Sequence, residues 1–160
     1  MSPLQLELVC EAVAPGQEPA LQGRYTNRGT SPLALAFWWN RRLRVRDAAG
    51  NEVASGPGPV LPCGVAEEWT VLAPGETHTR PEPLACTQPA GRREAIGWSY
   101  ALPPGTWRVS LIFEAPAAHG FSQSEPHPHA FQGRVESPEL TVVIPPPPPR
   151  PGLWARITGG

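Results

Sequence analysis

Short apolar runs, each closed by a turn rich in proline or glycine, restrict the fold of this 160-residue chain more than any other feature. The chain holds 23 prolines and 16 glycines, and they recur at short intervals between the apolar runs. Proline breaks the interior of a helix, whereas both residues suit turns between short strands. Apolar residues seldom recur at helical spacing and often alternate with a period of two. The pattern therefore predicts an all-β chain with almost no helix.

Alternation is clearest near the middle of the second half, where Trp107, Val109, Leu111 and Phe113 lie two residues apart. Many such short runs with regular turns indicate an antiparallel β-sandwich of about 7–9 strands, with a small barrel as the alternative. The predicted strands and hairpins cover residues 4–10, 20–27, 33–39, 43–53, 67–77, 96–115 and 134–144, and the predicted loops cover 54–66, 78–95 and 115–132.

The tryptophans of these runs have two possible roles. Core packing is the usual fate of large aromatic rings, and it is the preferred interpretation. An exposed aromatic strip for carbohydrate is the alternative. The residues concerned are Trp38, Trp69, Trp98 and Trp107.

The charge balance argues against nucleic acid as a partner. The formal net charge is −1, whereas phosphate binding needs a basic face. Arginine supplies all the positive side chains, because lysine is absent. Four arginines cluster within six residues, and we interpret them as the polar face of a strand. They are Arg41, Arg42, Arg44 and Arg46.

The sequence favours the cytoplasm as the location. The first residues lack the basic and apolar regions of a signal peptide, and no run reaches membrane-spanning length, so we expect no membrane association. In the cytoplasm cysteines are ordinarily free thiols, and we expect this state for Cys10, Cys63 and Cys86. A Cys63–Cys86 disulfide is the alternative if a signal peptide has been lost.

Several turn motifs resemble those of a known family. They are a D-x-x-G hairpin at Asp47 and Gly50, an L-x-P-G-E turn from Leu72 to Glu76, and a Pro104–Gly105 turn leading into Trp107 and Val109. Over roughly the central half, the chain thus resembles bacterial immunoglobulin-like domains of the intracellular proteinase-inhibitor type. The resemblance implies an immunoglobulin-like sandwich. No inhibitory residue can be matched, and the insertions at 54–66 and 115–132 depart from the pattern.

Catalytic and cofactor motifs are not visible. No G-x-S-x-G elbow occurs, and no pair of carboxylates has a distinctive spacing, so we expect no catalytic residues, no enzyme activity and no cofactor. A metal site is a weaker alternative in the segment HGFSQSEPHPH, because imidazoles are good ligands for zinc and copper. Its candidate ligands are His119, His127 and His129, with Glu125 nearby.

The C-terminal segment contains the strongest functional signal. A strand-like run ends at Ile144, and residues 145–151 read PPPPPRP. Prolines cannot join a sheet interior and favour polyproline II, so this spacer spans roughly 20 Å at about 3.1 Å per residue. The peptide that follows, 152–160, carries apolar side chains that gain nothing from exposure. The sequence predicts a β-sandwich at 1–144, the spacer, and a docking motif at 152–160.

The expected function is therefore protein interaction or assembly without catalysis, with another protein or a second copy of the chain as partner. The residues expected to contact the partner are Leu153, Trp154, Ile157, Gly159 and Gly160. The alternatives for the tail are a disordered appendage, a proline-groove ligand, and a terminus conjugated through its Gly-Gly, because the ending ARITGG resembles that of ubiquitin-like modifiers. Inhibition of a cytosolic proteinase through loop 54–66 or 115–132 is the alternative for the whole chain.

Overall fold

A computed structural model of the chain describes residues 2–11, 19–37, 40–53, 69–84, 102–115 and 127–146. This part contains nine strands and no helix, and every pairing between strands is antiparallel, which confirms the all-β prediction. The described residues accordingly hold no helix long and apolar enough to cross a membrane. The strands are β1 (Leu4–Cys10), β2 (Ala20–Asn27), β3 (Leu33–Ala36), β4 (Arg41–Arg46), β5 (Trp69–Leu72), β6 (Thr77–Pro83), β7 (Gly105–Ala115), β8 (Gly133–Glu136) and β9 (Leu140–Ile144).

The strands form three sheets. One has the order β1-β2-β6, a second pairs β3 with β5, and a third has the order β4-β7-β8 with β9 also paired to β7. Strands β8 and β9 lie one after the other along the same edge of β7, because β8 pairs with residues 112–115 and β9 with residues 105–109. Among the described strands, the third sheet therefore has β4 at one edge and the β8–β9 segment at the other.

The segment 134–144 is two strands, and the prediction of one continuous strand was wrong. Proline has no amide hydrogen for the ladder, and Pro138 lies at the break. Ser137 bridges it, since its amide donates to the Leu111 carbonyl at 2.9 Å and its hydroxyl oxygen accepts from the Leu111 amide at 3.0 Å. The buried backbone of Leu111 thus keeps both of its hydrogen bonds.

A single hydrophobic cluster contains side chains from all three sheets. The alternation in β7 places Val109, Leu111 and Phe113 in this cluster, and all three are fully buried. Phe113 lies among three aromatic rings in edge-on contacts, with ring centroids 6.0 Å from Tyr25, 5.9 Å from Phe37 and 5.7 Å from Phe131. This geometry suits the positive edge and negative face of aromatic rings.

Two turns were predicted correctly from their residues. At the end of β4, Asp47 accepts a hydrogen bond from the Asn51 amide at 2.8 Å, and Gly50 takes the positive φ that the turn requires. After β5, the Glu76 carboxylate accepts from the Ala73 amide at 2.7 Å, and Gly75 has a φ of 81°. These contacts explain why the D-x-x-G and P-G-E motifs stand where the chain reverses.

The predictions for the segment after residue 78 and for the tryptophans differ from the structure. Strand β6 lies where a loop was predicted from residue 78 onwards. Trp69 and Trp107 are half-buried instead of fully buried, and Trp107 packs against the hydrophobic cluster. Trp38, Trp98, Cys63, Cys86 and loop 54–66 lie outside the described residues.

Candidate functional site

Strand β6 carries three ionisable side chains at alternate positions, His78, Arg80 and Glu82. Alternate residues share one face of a strand, and β6 pairs with β2 so that His78 lies opposite Tyr25 and Glu82 opposite Leu21. Both of those β2 residues belong to the hydrophobic core. The polar face of β6 is therefore turned towards the core, where leucine and valine occupy the corresponding positions of other strands.

Glu82 is the most deeply placed of the three, with 3 % of its side chain exposed. Its Oε1 accepts a hydrogen bond from the Tyr25 hydroxyl at 2.6 Å, and its Oε2 forms an ion pair with Arg41. Arg41 belongs to β4 in the third sheet, whereas Glu82 and Tyr25 belong to the first sheet. The carboxylate therefore joins two sheets. We call Tyr25, Arg41, His78, Arg80 and Glu82 the inter-sheet cluster.

Gly23 creates the space that the Glu82 carboxylate occupies. A Cβ at this position would lie 2.8 Å from Leu111 Cδ2 and 2.9 Å from Glu82 Oε1, both closer than real Cβ contacts. Gly23 faces Arg80 across the β2–β6 ladder. Glycine at this position is thus required by close approach of neighbouring side chains, and any side chain here would displace either the core or the cluster.

Burial has the largest influence on the pKa values of Glu82 and Tyr25. It raises the pKa of Glu82, and the opposing influence of Arg41 and the Tyr25 hydrogen bond does not cancel it. Burial and the Glu82 charge raise the pKa of Tyr25 well above its ordinary value of 10.0, so the hydroxyl stays protonated and donates. Both carboxylate oxygens of Glu82 have internal partners, so this arrangement is suited to holding sheets together.

Arg80 has a different environment from Arg41. Its guanidinium carbon lies 4.5 Å from the centre of the Phe37 ring, in a cation–π contact, and the His78 ring lies 5.4 Å from the same ring. Its Nε is buried and has no hydrogen-bond partner in the part of the chain that the structure describes. Burial and the nearby Arg41 charge lower the pKa of Arg80.

The arginines of β4 divide between two faces. Arg42, Arg44 and Arg46 alternate with the buried Leu43 and Val45, so they lie on the outer face, as the polar-face prediction requires. The prediction was wrong for Arg41, which shares the inner face with the two apolar residues and reaches Glu82.

The outer face of the third sheet carries an ion network centred on Glu136. Arg44 donates to both of its carboxylate oxygens, at 2.7 and 2.9 Å, and the Ser110 hydroxyl donates to Oε1 at 2.7 Å. Arg46 pairs with Glu139 beside it at 2.5 Å. Burial opposes ionisation of Glu136, but the Ser110 hydrogen bond and the charges of Arg44 and Arg134 prevail and lower its pKa.

We expect the two glutamates to contribute opposite pH dependences to stability. The raised pKa of Glu82 means that the folded state holds its proton more tightly than the unfolded state. The contribution of Glu82 to the free energy of unfolding therefore falls as pH rises from the ordinary pKa of 4.5 to the raised pKa. The lowered pKa of Glu136 gives a contribution that is present above 4.5 and lost as pH falls below it.

Urea unfolding of the native chain, Glu82→Gln and Glu136→Gln between about pH 3 and pH 7 measures both contributions. The stability advantage of the native chain over Glu82→Gln should shrink as pH rises, whereas its advantage over Glu136→Gln should grow. If the stability advantage of the native chain changed in the same direction with pH for both variants, the result would contradict this assignment of the two pKa shifts.

The histidines predicted as metal ligands are described only in part. His127 and His129 lie side by side, with ring centroids 5.8 Å apart, and His127 also packs against Trp69 at 5.6 Å. His127 Nδ1 accepts a hydrogen bond from the His129 amide at 3.1 Å, which leaves Nε2 for any ligand role. His119 and Glu125 lie outside the described residues, which hold no group of three or more potential ligands. The metal site stays a prediction.

The predicted partner-binding residues of the tail all lie outside the described residues. They are Leu153, Trp154, Ile157, Gly159 and Gly160.

The inter-sheet cluster was not predicted from the sequence. The signal that could have found it is the alternation of His78, Arg80 and Glu82 with a period of two, which indicates a strand with one ionisable face.

Comparison of the chain with protein-family models, curated proteins and solved structures finds no match.

Proposed function

We propose that this chain is a non-enzymatic protein-interaction or assembly module, an immunoglobulin-like β-sandwich whose C-terminal peptide docks on a partner protein. The observation that carries the proposal is the place where the last described strand ends. Ile144 is the last residue of β9, pairs with Gly105 and is the last member of the hydrophobic cluster in the described part of the chain. The proline run and the peptide at 152–160 follow directly after this strand in the sequence.

The exit of the chain from the sheet supports this division. Strand β9 lies at an edge of the third sheet, Pro145 is half-buried and Pro146 is exposed. A run of prolines that starts at a sheet edge favours an extended spacer. Such a spacer would hold Leu153, Trp154 and Ile157 away from the domain, where apolar side chains serve as anchors in a partner's groove.

The contacts between sheets support the sandwich. The Glu82–Arg41 ion pair and the shared core bring the inner faces of the first and third sheets together. Two antiparallel sheets with a common apolar core are the basis of a β-sandwich, and the turn motifs add the immunoglobulin-like character.

The ionisable groups support a role other than catalysis. In the described residues, Glu82 and Tyr25 bond to each other inside the core, and Glu136 is bonded by Ser110 and Arg44. Groups with shifted pKa values often mark active sites, but here burial in the core raises the pKa values of Glu82 and Tyr25, and contacts between strands lower that of Glu136.

Affinity capture from a native lysate tests the proposal. We expect the full chain to retain a partner that a version ending at Pro146 loses, because the version keeps every described strand and lacks residues 147–160, which contain most of the spacer and the whole peptide. Trp154→Ala should weaken capture by about thirtyfold, the effect of losing a typical buried anchor, and Thr158→Ala in the same peptide is the matched control. Equal capture by the full and shortened chains would place binding on the sheets and contradict the proposal.

Proteinase inhibition is the second candidate, and the base of loop 115–132 favours it. The Ala34 amide donates to the His129 carbonyl at 2.8 Å, the Phe131 amide donates to the Ala34 carbonyl at 2.9 Å, and Phe131 is buried. A loop with an anchored base loses less entropy when it enters a protease cleft. An inhibitor should act equally well without residues 147–160, so a protease panel with the full and shortened chains separates the two functions.

A further inference from the structure

Arg80 is a half-buried guanidinium that makes no ion pair and no hydrogen bond within the described residues. Glu82 is the acidic neighbour on the same face of β6 and its charge attracts Arg80, but its two oxygens are bonded to Tyr25 and Arg41, so two guanidinium groups share this one carboxylate. The contact that Arg80 does make is with the Phe37 ring. Removing a charge from water is unfavourable unless an opposite charge or hydrogen bonds replace the water, so the position favours an anion.

The guanidinium lies over an aromatic ring and is only partly buried. The guanidinium carbon lies over the Phe37 ring, and the His78 ring packs on the same phenylalanine. Of its three nitrogens, Nε alone is buried without a partner, so an incoming ion would reach Nη1 and Nη2 from solvent. The two terminal nitrogens of a guanidinium that lies on an aromatic ring can donate hydrogen bonds to two oxygens of a carboxylate or a phosphate.

We propose that Arg80 anchors a binding site for an oxyanion, a carboxylate or phosphate group of a small molecule or partner, with Phe37 and His78 as its walls. The site is independent of the C-terminal peptide. Burial and the Arg80 charge outweigh the Glu76 charge and lower the pKa of His78, so Arg80 is the main positive charge at this site. An anion bound to Arg80 would cancel part of that repulsion and raise the pKa of His78.

The test uses the full chain with inorganic phosphate and with acetate as separate probes, each compared with sodium chloride at the same ionic strength. We expect at least one probe to raise the melting temperature in a saturable way, because a ligand that binds the folded state stabilises it. Arg80→Met keeps an apolar stem on Phe37 and removes the charge, so it should abolish the rise. Arg24→Met, an exposed arginine of β2, is the control and should respond as the native chain does.

A response to acetate alone assigns the site to carboxylates, and a response to phosphate alone assigns it to phosphate groups. An equal response in Arg80→Met, or no saturable response to either probe, would overturn the proposal. If Arg80→Met does not fold, NMR titration of His78 in the native chain decides the question. The His78 pKa should then rise when the effective probe is present, and an unchanged His78 pKa would equally overturn the proposal.

Discussion

Replacing Glu82 with alanine is expected to lower the free energy of unfolding by about 3 kcal/mol, because removal of one partner from a buried ion pair leaves the other charge uncompensated. The change would leave the Tyr25 hydroxyl without its acceptor in a fully buried position, and it would open a void beside Gly23. The effect lies at the low end of the range for buried pairs, since 21 % of the Arg41 side chain is exposed and water can solvate part of it.

Urea denaturation at neutral pH measures this loss, and Glu139→Ala is the matched control. Glu139 also pairs with arginine, but it does so on the outer face with 33 % of its side chain exposed, so its removal should cost less than about 1 kcal/mol. Equal losses for the two variants would show that the inter-sheet cluster contributes no more than a surface ion pair.

Replacing Phe113 with alanine is expected to cost about 4 kcal/mol, within the range for removing a fully buried phenylalanine. Its ring has no exposed surface and touches the rings of Tyr25, Phe37 and Phe131. The remaining rings come from separate strands and loops, so the cavity would collapse only in part. The void would also remove an edge contact of Tyr25, the residue that holds Glu82.

Thermal and urea unfolding of Phe113→Ala, with Val143→Ala as control, measure the effect. Val143 has 58 % of its side chain exposed on β9, so its truncation should change stability by less than about 0.5 kcal/mol. A loss below about 2 kcal/mol at Phe113 would mean that the core relaxes around the missing ring, and it would contradict the central position assigned to it.

Strands with an apolar face could be predicted from the sequence. The predicted bounds of β1 and β2 agree with the structure, because Leu4, Leu6 and Leu8 alternate with polar residues and the flanking turns contain proline and glycine. Strand β7 was found for the same reason, through Val109, Leu111 and Phe113. In these segments the local pattern and the tertiary packing favour the same structure.

Strand β6 could not be found in that way. Its inner face is ionisable, and Pro81 and Pro83 resemble loop punctuation. Proline is nevertheless tolerated in an edge strand, where its missing amide hydrogen can face away from the ladder, and β6 is the last strand of its sheet in the described part of the chain. Without β6, neither the role of Gly23 nor the partner of Arg41 follows from the sequence.

The inter-sheet cluster also depends on contacts between residues distant in sequence. Tyr25 and Glu82 meet across the β2–β6 ladder, and Arg41 reaches them from another sheet. Sequence spacing does not encode such contacts, because the register between strands and the packing of sheets determine them. The alternation at residues 78–82 was visible, but the buried partners were not.

Competition by a synthetic peptide of residues 145–160 tests the docking function most directly. With the captured partner immobilised, we expect the peptide to displace the full chain with a Kd within about tenfold of that of the chain itself, and the Trp154→Ala peptide to fail at the same concentrations. Displacement would place the binding energy in the C-terminal peptide. Failure of the native peptide to compete, while the folded chain ending at Pro146 still binds the partner, would contradict the docking function and assign binding to the sheets.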